Sequence, residues 1–150
     1  MIISVVAIAL GSVANTFSPR AIPWVTEWDN KIETTAREDG IQVVDLEGMR
    51  KVVEAGTHVL LDARPQVDYE VAHIPGSLSL PSTELNTTFP QVQLLLTAEQ
   101  PIMVYCSGRS CTESLRLAHF LIEQGYSNVY LFPGGLQQWR EAGLPLEVGH

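Results

Sequence analysis

The residues best suited to chemistry are two cysteines in one short loop. The run 104-VYCSGRSCTESLRLAHFLIEQG-125 ends an apolar stretch at Cys106, continues through small residues and Arg109, and reaches Cys111 just before a helical pattern. The thiolate is the nucleophilic form of cysteine, and a free thiol with a pKa of about 8.5 is mostly protonated at neutral pH. A reactive cysteine here therefore needs neighbours that stabilise a sulfur anion.

Three features of this loop favour an anion beside Cys106. Small residues, Gly108 among them, let the backbone curl and direct successive N–H groups at one point. The helix that follows places the positive end of its dipole next to the sulfur. Arg109 adds a full charge that can also hold an anionic substrate. We therefore predict that Cys106 is a nucleophile rather than only a buried cysteine at a strand end.

Cysteine phosphatases use a similar loop, but this sequence does not match their pattern. They need an arginine six residues after the cysteine, which grips the phosphate with two hydrogen bonds. Here that position is Thr112, and Arg109 comes only three residues after Cys106. A phosphatase is therefore disfavoured.

The elements that must position this loop alternate between strands and helices. We predict strands over 42–45, 59–62, 77–81, 102–106 and 128–132, and helices over 46–56, 112–124 and 136–143, with Pro90 breaking any single long helix over 83–96. This alternation predicts a parallel sheet with helices on both faces. Ligands bind such sheets beyond the carboxyl ends of the strands, where both Cys106 and Asp62 fall.

Composition limits the classes of function. The chain has 150 residues, 45% of them hydrophobic, which suits one globular domain. A net charge of −8 without a basic patch argues against nucleic acid as a partner. Two cysteines in one loop do not form a secreted disulfide framework. The sequence shows no metal-ligand cluster and no nucleotide-binding loop, so we expect neither a metal nor a cofactor.

The N-terminal residues allow two interpretations. Residues 1–17 are continuously apolar only from Val5 to Leu10, lack the positive start of a signal peptide, and are shorter than the roughly 20 residues that cross a bilayer. They form either a membrane-associated segment or an element packed on the domain. Arg20 suits the cytoplasmic flank of a span. We expect a cytoplasmic protein, which under the first interpretation contacts a membrane through this segment. Residues 18–40 are predicted to be a linker or surface arm, and 41–148 the domain.

Four motifs make the chain similar to the rhodanese family of sulfurtransferases over about residues 41–147. They are LLDARP (60–65), DYEVAHIPGSLSLP (68–81), YCSGRSCT (105–112) and LFPGGLQQW (131–139), and they occur in the family's order. The resemblance implies a three-layer rhodanese-like α/β fold, with a central, mainly parallel sheet and helices on both faces. It also implies a thiosulfate sulfurtransferase-like enzyme.

The activity implied by the resemblance is a persulfide cycle on Cys106. A donor such as thiosulfate or a small persulfide passes its sulfane sulfur to the cysteine, and an acceptor thiol or cyanide removes it. Arg109 would hold the oxyanion end of the donor. The backbone amides of the loop would stabilise the persulfide; they belong to Ser107, Gly108, Arg109, Ser110, Cys111 and Thr112.

Supporting residues lie in the other motifs. Asp62 and Arg64 fall at a strand end near the loop, and we expect Arg64 to form an ion pair with Asp68 or Glu70 that is structural rather than catalytic. Glycines 134 and 135 are expected to allow close backbone passage near the active face.

Cys111 leaves alternatives open. Its thiol could attack a persulfide on Cys106, release sulfide and leave a disulfide. Otherwise it is a small residue with its side chain turned away, which is the outcome favoured if the loop amides point inward. The alternatives to a sulfurtransferase are therefore a Cys106/Cys111 thiol-redox protein and a membrane-tethered binding module with this fold.

Overall fold

A computed structural model describes residues 31–149. The helices are α1 (Lys31–Glu38), α2 (Leu46–Ala55), α3 (Gln66–Val71), α4 (Leu85–Val92), α5 (Glu113–Glu123) and α6 (Gly135–Glu141), and a 3-10 turn covers Gln93–Leu95. The strands are β1 (Gln42–Val43), β2 (Val59–Asp62), β3 (Ser77–Ser79), β4 (Ile102–Tyr105) and β5 (Val129–Phe132). Residues 1–17 lie outside this range, so membrane contact stays a prediction. Within 31–149, none of the helices has the length and apolar character needed to span a bilayer.

The five strands form one parallel sheet in the order β1-β5-β4-β2-β3. The mixed α/β architecture predicted from the alternating pattern is confirmed. Strand β4 is central, and its last residue, Tyr105, pairs with Asp62 of β2 and Phe132 of β5. The ends of these strands are therefore level, and the residues after them share one edge of the sheet.

The two faces of the sheet are covered by different helices. Along β4, Ile102 and Val104 join one buried cluster, whereas Met103 and Tyr105 join the other. This alternation follows from the two-residue repeat of a strand and explains why β4 is apolar throughout. The first cluster includes buried residues of α1, α4 and α5, and the second includes buried residues of α2 and α6. The result is three layers, helix–sheet–helix.

Helix α2 has a capping residue at each end. The Asp45 side chain accepts a hydrogen bond of 2.8 Å from the Gly48 N–H, which satisfies a free donor of the first turn. Gly56 ends the helix with φ +59°, in the left-handed region that glycine tolerates best.

The predicted arm of residues 18–40 contains helix α1. Its Ile32 and Ala36 are buried in the same cluster as Leu131 of β5. Packing of the domain therefore begins upstream of residue 41. Helix α4 runs through Pro90 and ends two residues later, so the proline lies inside a short helix rather than at its boundary.

A buried hydroxyl links β4 to the segment before β3. The fully buried Tyr105 hydroxyl accepts a hydrogen bond of 3.1 Å from the Ile74 N–H and shares one of 2.8 Å with the Ser77 hydroxyl. Burial, together with the charge of Asp62, raises the pKa of Tyr105, so the hydroxyl stays protonated.

Replacing Tyr105 with phenylalanine should therefore lower the free energy of unfolding by about 1–3 kcal/mol, because the buried Ile74 N–H loses its acceptor. Urea titration followed by tryptophan fluorescence measures the change. Tyr130→Phe is the matched control, since this half-buried ring packs on His58 and keeps that contact without its hydroxyl. A Tyr105→Phe cost no larger than that of the control would contradict the assignment.

Candidate active site

Cys106 directly follows β4 at the carboxyl edge of the sheet, and only 3% of it is exposed. The loop of residues 107–112 then leads into α5. The Cys106 Sγ lies 3.8 Å from the Ser107 hydroxyl and 3.9 Å from Glu113 Oε2 in the first turn of that helix. The structure therefore places the sulfur at the strand end and beside the start of the helix, as the sequence suggests.

The start of α6 holds the beginning of this loop. The Leu136 N–H donates a 2.8 Å hydrogen bond to the Cys106 carbonyl, and the Gln137 N–H donates one of the same length to the Ser107 carbonyl. Gly135 makes this contact feasible, because a Cβ there would collide with the Cys106 carbonyl and lie 2.7 Å from the Gly108 nitrogen. It also has φ +57°, a conformation that other residues rarely adopt. The close backbone passage expected at Gly134 and Gly135 is present at Gly135, whereas a Cβ at Gly134 would meet the Gln138 side chain instead.

Within the loop, the chain turns back on itself. The Cys111 N–H donates to the Gly108 carbonyl at 3.0 Å, and the Cα atoms of Cys106 and Cys111 are 6.2 Å apart. The two sulfurs form a disulfide, and only 8% of Cys111 is exposed. The expectation that Cys111 turns its side chain away is therefore wrong. The tight turn closed by the hydrogen bond from Cys111 to Gly108 points this side chain back at Cys106.

The other predicted loop residues have separate environments. Gly108 is buried, and its carbonyl accepts the hydrogen bond of the turn. Ser110 is exposed and lines a small cleft that Arg109 shares. Thr112 is exposed at the start of α5, where its carbonyl accepts the Arg116 N–H at 3.0 Å. Backbone hydrogen bonds thus hold the loop in place, while several of its side chains are exposed to solvent.

Glu113 is a candidate site residue that the sequence analysis did not include. Its Oε2 lies 2.8 Å from Cys111 Sγ as well as 3.9 Å from Cys106 Sγ. Side chains of a helix lean toward its N-terminus, so a carboxylate two residues after Cys111 could have been predicted to face the loop. In the reduced protein this carboxylate is placed to accept a proton from the Cys111 thiol.

Arg109 reaches toward α1. Its Nη1 lies 3.3 Å from Glu33 Oε2, and 40% of the Arg109 side chain is exposed. Both residues line a cleft of about 440 Å³ with Arg37, Asp45 and Gln138 among its other walls. Glu33 is a second residue that the sequence analysis did not single out, because it belongs to the segment interpreted as an arm.

Arg64 pairs with Asp62, not with Asp68 or Glu70. Its Nη2 is 2.6 Å from Asp62 Oδ2, its Nε is 3.0 Å from Oδ1, and a further 2.7 Å bond joins Nη2 to the Ala72 carbonyl. Burial acts to lower the pKa of Arg64, but the hydrogen bond and charge of Asp62 outweigh it, and the pKa is raised. Asp62 is completely buried, so the nearest cation has to compensate it. The exposed Glu70 instead accepts a hydrogen bond from Gln66.

A third cleft, of about 480 Å³, opens beside the cysteine loop at Ser107. Its walls are Arg64, Asp68, Ser107, Leu136, Gln137, Arg140 and Glu141. The two arginines of these walls are balanced by the carboxylates of Asp68 and Glu141, and Ser107 is the immediate neighbour of Cys106. This cleft is therefore a candidate entry for a small polar substrate.

One group of side chains in residues 31–149 has the composition of a metal site. The ligand atoms of Cys106, Cys111 and Glu113 lie within 4.8 Å of one another. Two thiolates and a carboxylate are ligands that Zn²⁺ accepts. In this oxidation state, however, both sulfurs are in the disulfide and cannot bind a metal as thiolates.

Comparison with known proteins agrees with this geometry. The chain is 31% identical over 99 residues to the thiosulfate sulfurtransferase GlpE of Actinobacillus succinogenes, a match that covers 66% of this chain and 84% of that protein. It is 33% identical over 112 residues to an HTH-type transcriptional regulator of Mycobacterium tuberculosis, covering 75% of this chain but only 46% of the regulator.

A solved structure of a Bacillus halodurans protein superposes with a TM-score of 0.65 at 22% identity, covering 79% of this chain and 85% of that one. The family model described as "Rhodanese-like domain" matches residues 45–142, which include α2 to α6, all but the first strand, and the cysteine loop. The chain therefore belongs to the rhodanese-like domain family.

Proposed function

We propose that the protein is a sulfurtransferase that carries sulfane sulfur on Cys106. The observation that carries this proposal is the position of Cys106 at the end of the central strand, where the backbone of α6 holds the loop and the first turn of α5 lies beside the sulfur. Two relatives named thiosulfate sulfurtransferase, at 31% and 33% identity, support the same reaction class.

The proposed reaction has two displacements at sulfur. The reduced Cys106 thiolate attacks the outer sulfur of thiosulfate, the S–S bond of the donor breaks, and sulfite leaves with the electron pair. A thiol or cyanide then attacks the outer sulfur of the Cys106 persulfide and returns the thiolate. Arg64 and Arg140 line the cleft at Ser107 together with Asp68 and Glu141, and the Arg140 guanidinium offers N–H donors to the oxygens of a sulfur donor. The disulfide must first be reduced, since it occupies the nucleophile.

The test is a mass measurement on a protein that cannot form the disulfide. Reduced Cys111→Ser protein treated with thiosulfate should gain the mass of one sulfur atom, release sulfite, and lose the added sulfur to cyanide as thiocyanate. The Cys106→Ser/Cys111→Ser double variant should show none of these changes. Sulfur that still loads onto the double variant would contradict the role of Cys106. Failure of the folded, reduced Cys111→Ser protein to load from either thiosulfate or glutathione persulfide would contradict the function.

A thiol-redox function is the second candidate, and the disulfide between Cys106 and Cys111 is the observation that favours it. The same pair of cysteines can serve both chemistries if the disulfide is formed from the persulfide. The two functions are then compatible within one site.

A further inference from the structure

We propose that Cys111 and Glu113 give the protein a second activity, in which the Cys106 persulfide is resolved internally to a disulfide and hydrosulfide. The inference rests on the persulfide of the proposed function and extends it to a different product. The overall reaction would be a thiol-dependent reduction of sulfane sulfur, with a dithiol as the consumed reductant.

The geometry of the loop carries this proposal. The turn from Gly108 to Cys111 brings the Cα atoms of the two cysteines to 6.2 Å, within the range of about 4.4–6.8 Å at which a disulfide needs no backbone movement. Both cysteines are buried, with 3% and 8% exposed. A thiol held this close reacts as part of the same molecule and therefore has a large advantage over a thiol from solution.

Glu113 supplies the proton acceptor that the attack requires. Its Oε2 lies 2.8 Å from Cys111 Sγ but 3.9 Å from Cys106 Sγ, so Cys111 is the better placed proton donor. A general base in contact with the reacting thiol typically contributes about 10²–10⁴ in rate. Glu113 would thus deprotonate the Cys111 thiol and generate the attacking thiolate.

The resolving step balances in atoms and electrons. The Cys111 proton moves to Glu113, and the Cys111 sulfur attacks Cys106 Sγ. A Cys106–Cys111 bond forms, the bond from Cys106 to the outer sulfur breaks, and the outer sulfur, which carries the proton of the persulfide S–H, leaves with the electron pair as hydrosulfide. The sulfane sulfur is reduced to sulfide while the two cysteines are oxidised. A dithiol, such as dithiothreitol or a protein with a reduced cysteine pair, then reduces the disulfide by two exchange steps and is itself oxidised to a disulfide.

The first experiment is a single turnover without an external acceptor. Reduced protein, freed of reductant under nitrogen, receives one equivalent of thiosulfate, and sulfite, sulfide and intact mass are followed. We expect about one sulfide per sulfite from the natural protein, which becomes two hydrogens lighter than its reduced form. Cys111→Ser should release almost no sulfide per sulfite and keep the added sulfur. Sulfite without sulfide from the natural protein, with the sulfur retained, would overturn the inference; absence of sulfite counts instead against thiosulfate as donor.

A second experiment tests the inference without any donor. Hydrosulfide added to the oxidised protein should run the step backwards, and an alkylating reagent then traps the products. Trypsin cuts after Arg109, so the two cysteines are recovered on different peptides. We expect the extra sulfur on the Cys106 peptide and a free thiol on the Cys111 peptide, residues 110–116. Sulfur recovered only on Cys111, or on neither peptide, would refute the proposed step.

Glu113 has its own test. Glu113→Gln should lower the rate of sulfide release, normalised to the sulfite formed, by about 10²-fold, because the Cys111 proton loses its acceptor. Glu123→Gln is the matched control, an exposed glutamate at the other end of the same helix, and it should leave the rate unchanged. Equal rates for the two variants would remove Glu113 from the mechanism.

Discussion

Alanine at Gly135 should disable the cysteine loop. The left-handed backbone at φ +57° costs an alanine about 1–2 kcal/mol. The added Cβ also meets the Cys106 carbonyl and the Gly108 nitrogen, which are backbone atoms and cannot rotate aside. Either α6 or the loop must therefore move. Displacement of a reacting group by about 1 Å can cost 10²-fold in rate, so we expect at least that loss in sulfite release from thiosulfate.

Gly143→Ala separates the effect of the steric collision at Gly135 from the effect of the left-handed backbone conformation. Gly143 follows the same helix with φ +69°, but a Cβ there meets nothing within 4 Å. It should show the conformational cost of about 1–2 kcal/mol in urea unfolding and keep its sulfite release. If Gly135→Ala loses no more activity than Gly143→Ala, then the contact between α6 and the loop does not position Cys106.

The sheet could be predicted because its signals are local. Strand β4 is apolar at every position, and helix α2 has a capping aspartate and a terminal glycine in its own sequence. These features need no knowledge of distant residues. Helix α1 also had a local signal, since Ile32 and Ala36 are four residues apart and Glu33 pairs with Arg37 at 2.7 Å. That signal was short and followed a segment of prolines and tryptophans that has no regular period.

The site was harder to predict because distant contacts shape it. The path of the cysteine loop depends on hydrogen bonds from Leu136 and Gln137, which come about 30 residues later. The hydrogen bond from Cys111 to Gly108 then decides which way the second thiol faces. An expectation built only on the curl of small residues sends that side chain outward. Residue types therefore predict a nucleophile at Cys106, whereas the residues that surround it could be found only from the fold.

The ion pair of Asp62 and Arg64 illustrates the same limit and gives the second large effect. Arg64→Met should lower the free energy of unfolding by about 3–5 kcal/mol, because it leaves the carboxylate of a completely buried Asp62 without its cation. Urea unfolding measures this loss. Arg50→Met, which removes exposed ion pairs with Glu47 and Glu54 on α2, should cost less than about 1 kcal/mol.

A double variant shows whether the cost comes from the uncompensated charge. Asp62→Asn keeps an Oδ1 that can accept the 3.0 Å hydrogen bond from the Arg64 backbone N–H, yet carries no charge. A neutral amide is easier to bury than a carboxylate once the guanidinium is gone, so the double variant Asp62→Asn/Arg64→Met should be more stable than Arg64→Met alone. A double variant that is no more stable than Arg64→Met would mean that the cost comes from losing the arginine itself, with its packing and its bond to the Ala72 carbonyl, and not from the uncompensated charge. Arg64 also lines the cleft beside Ser107. Sulfite release measured on the same proteins therefore tells whether Arg64 contributes to donor binding as well as to stability.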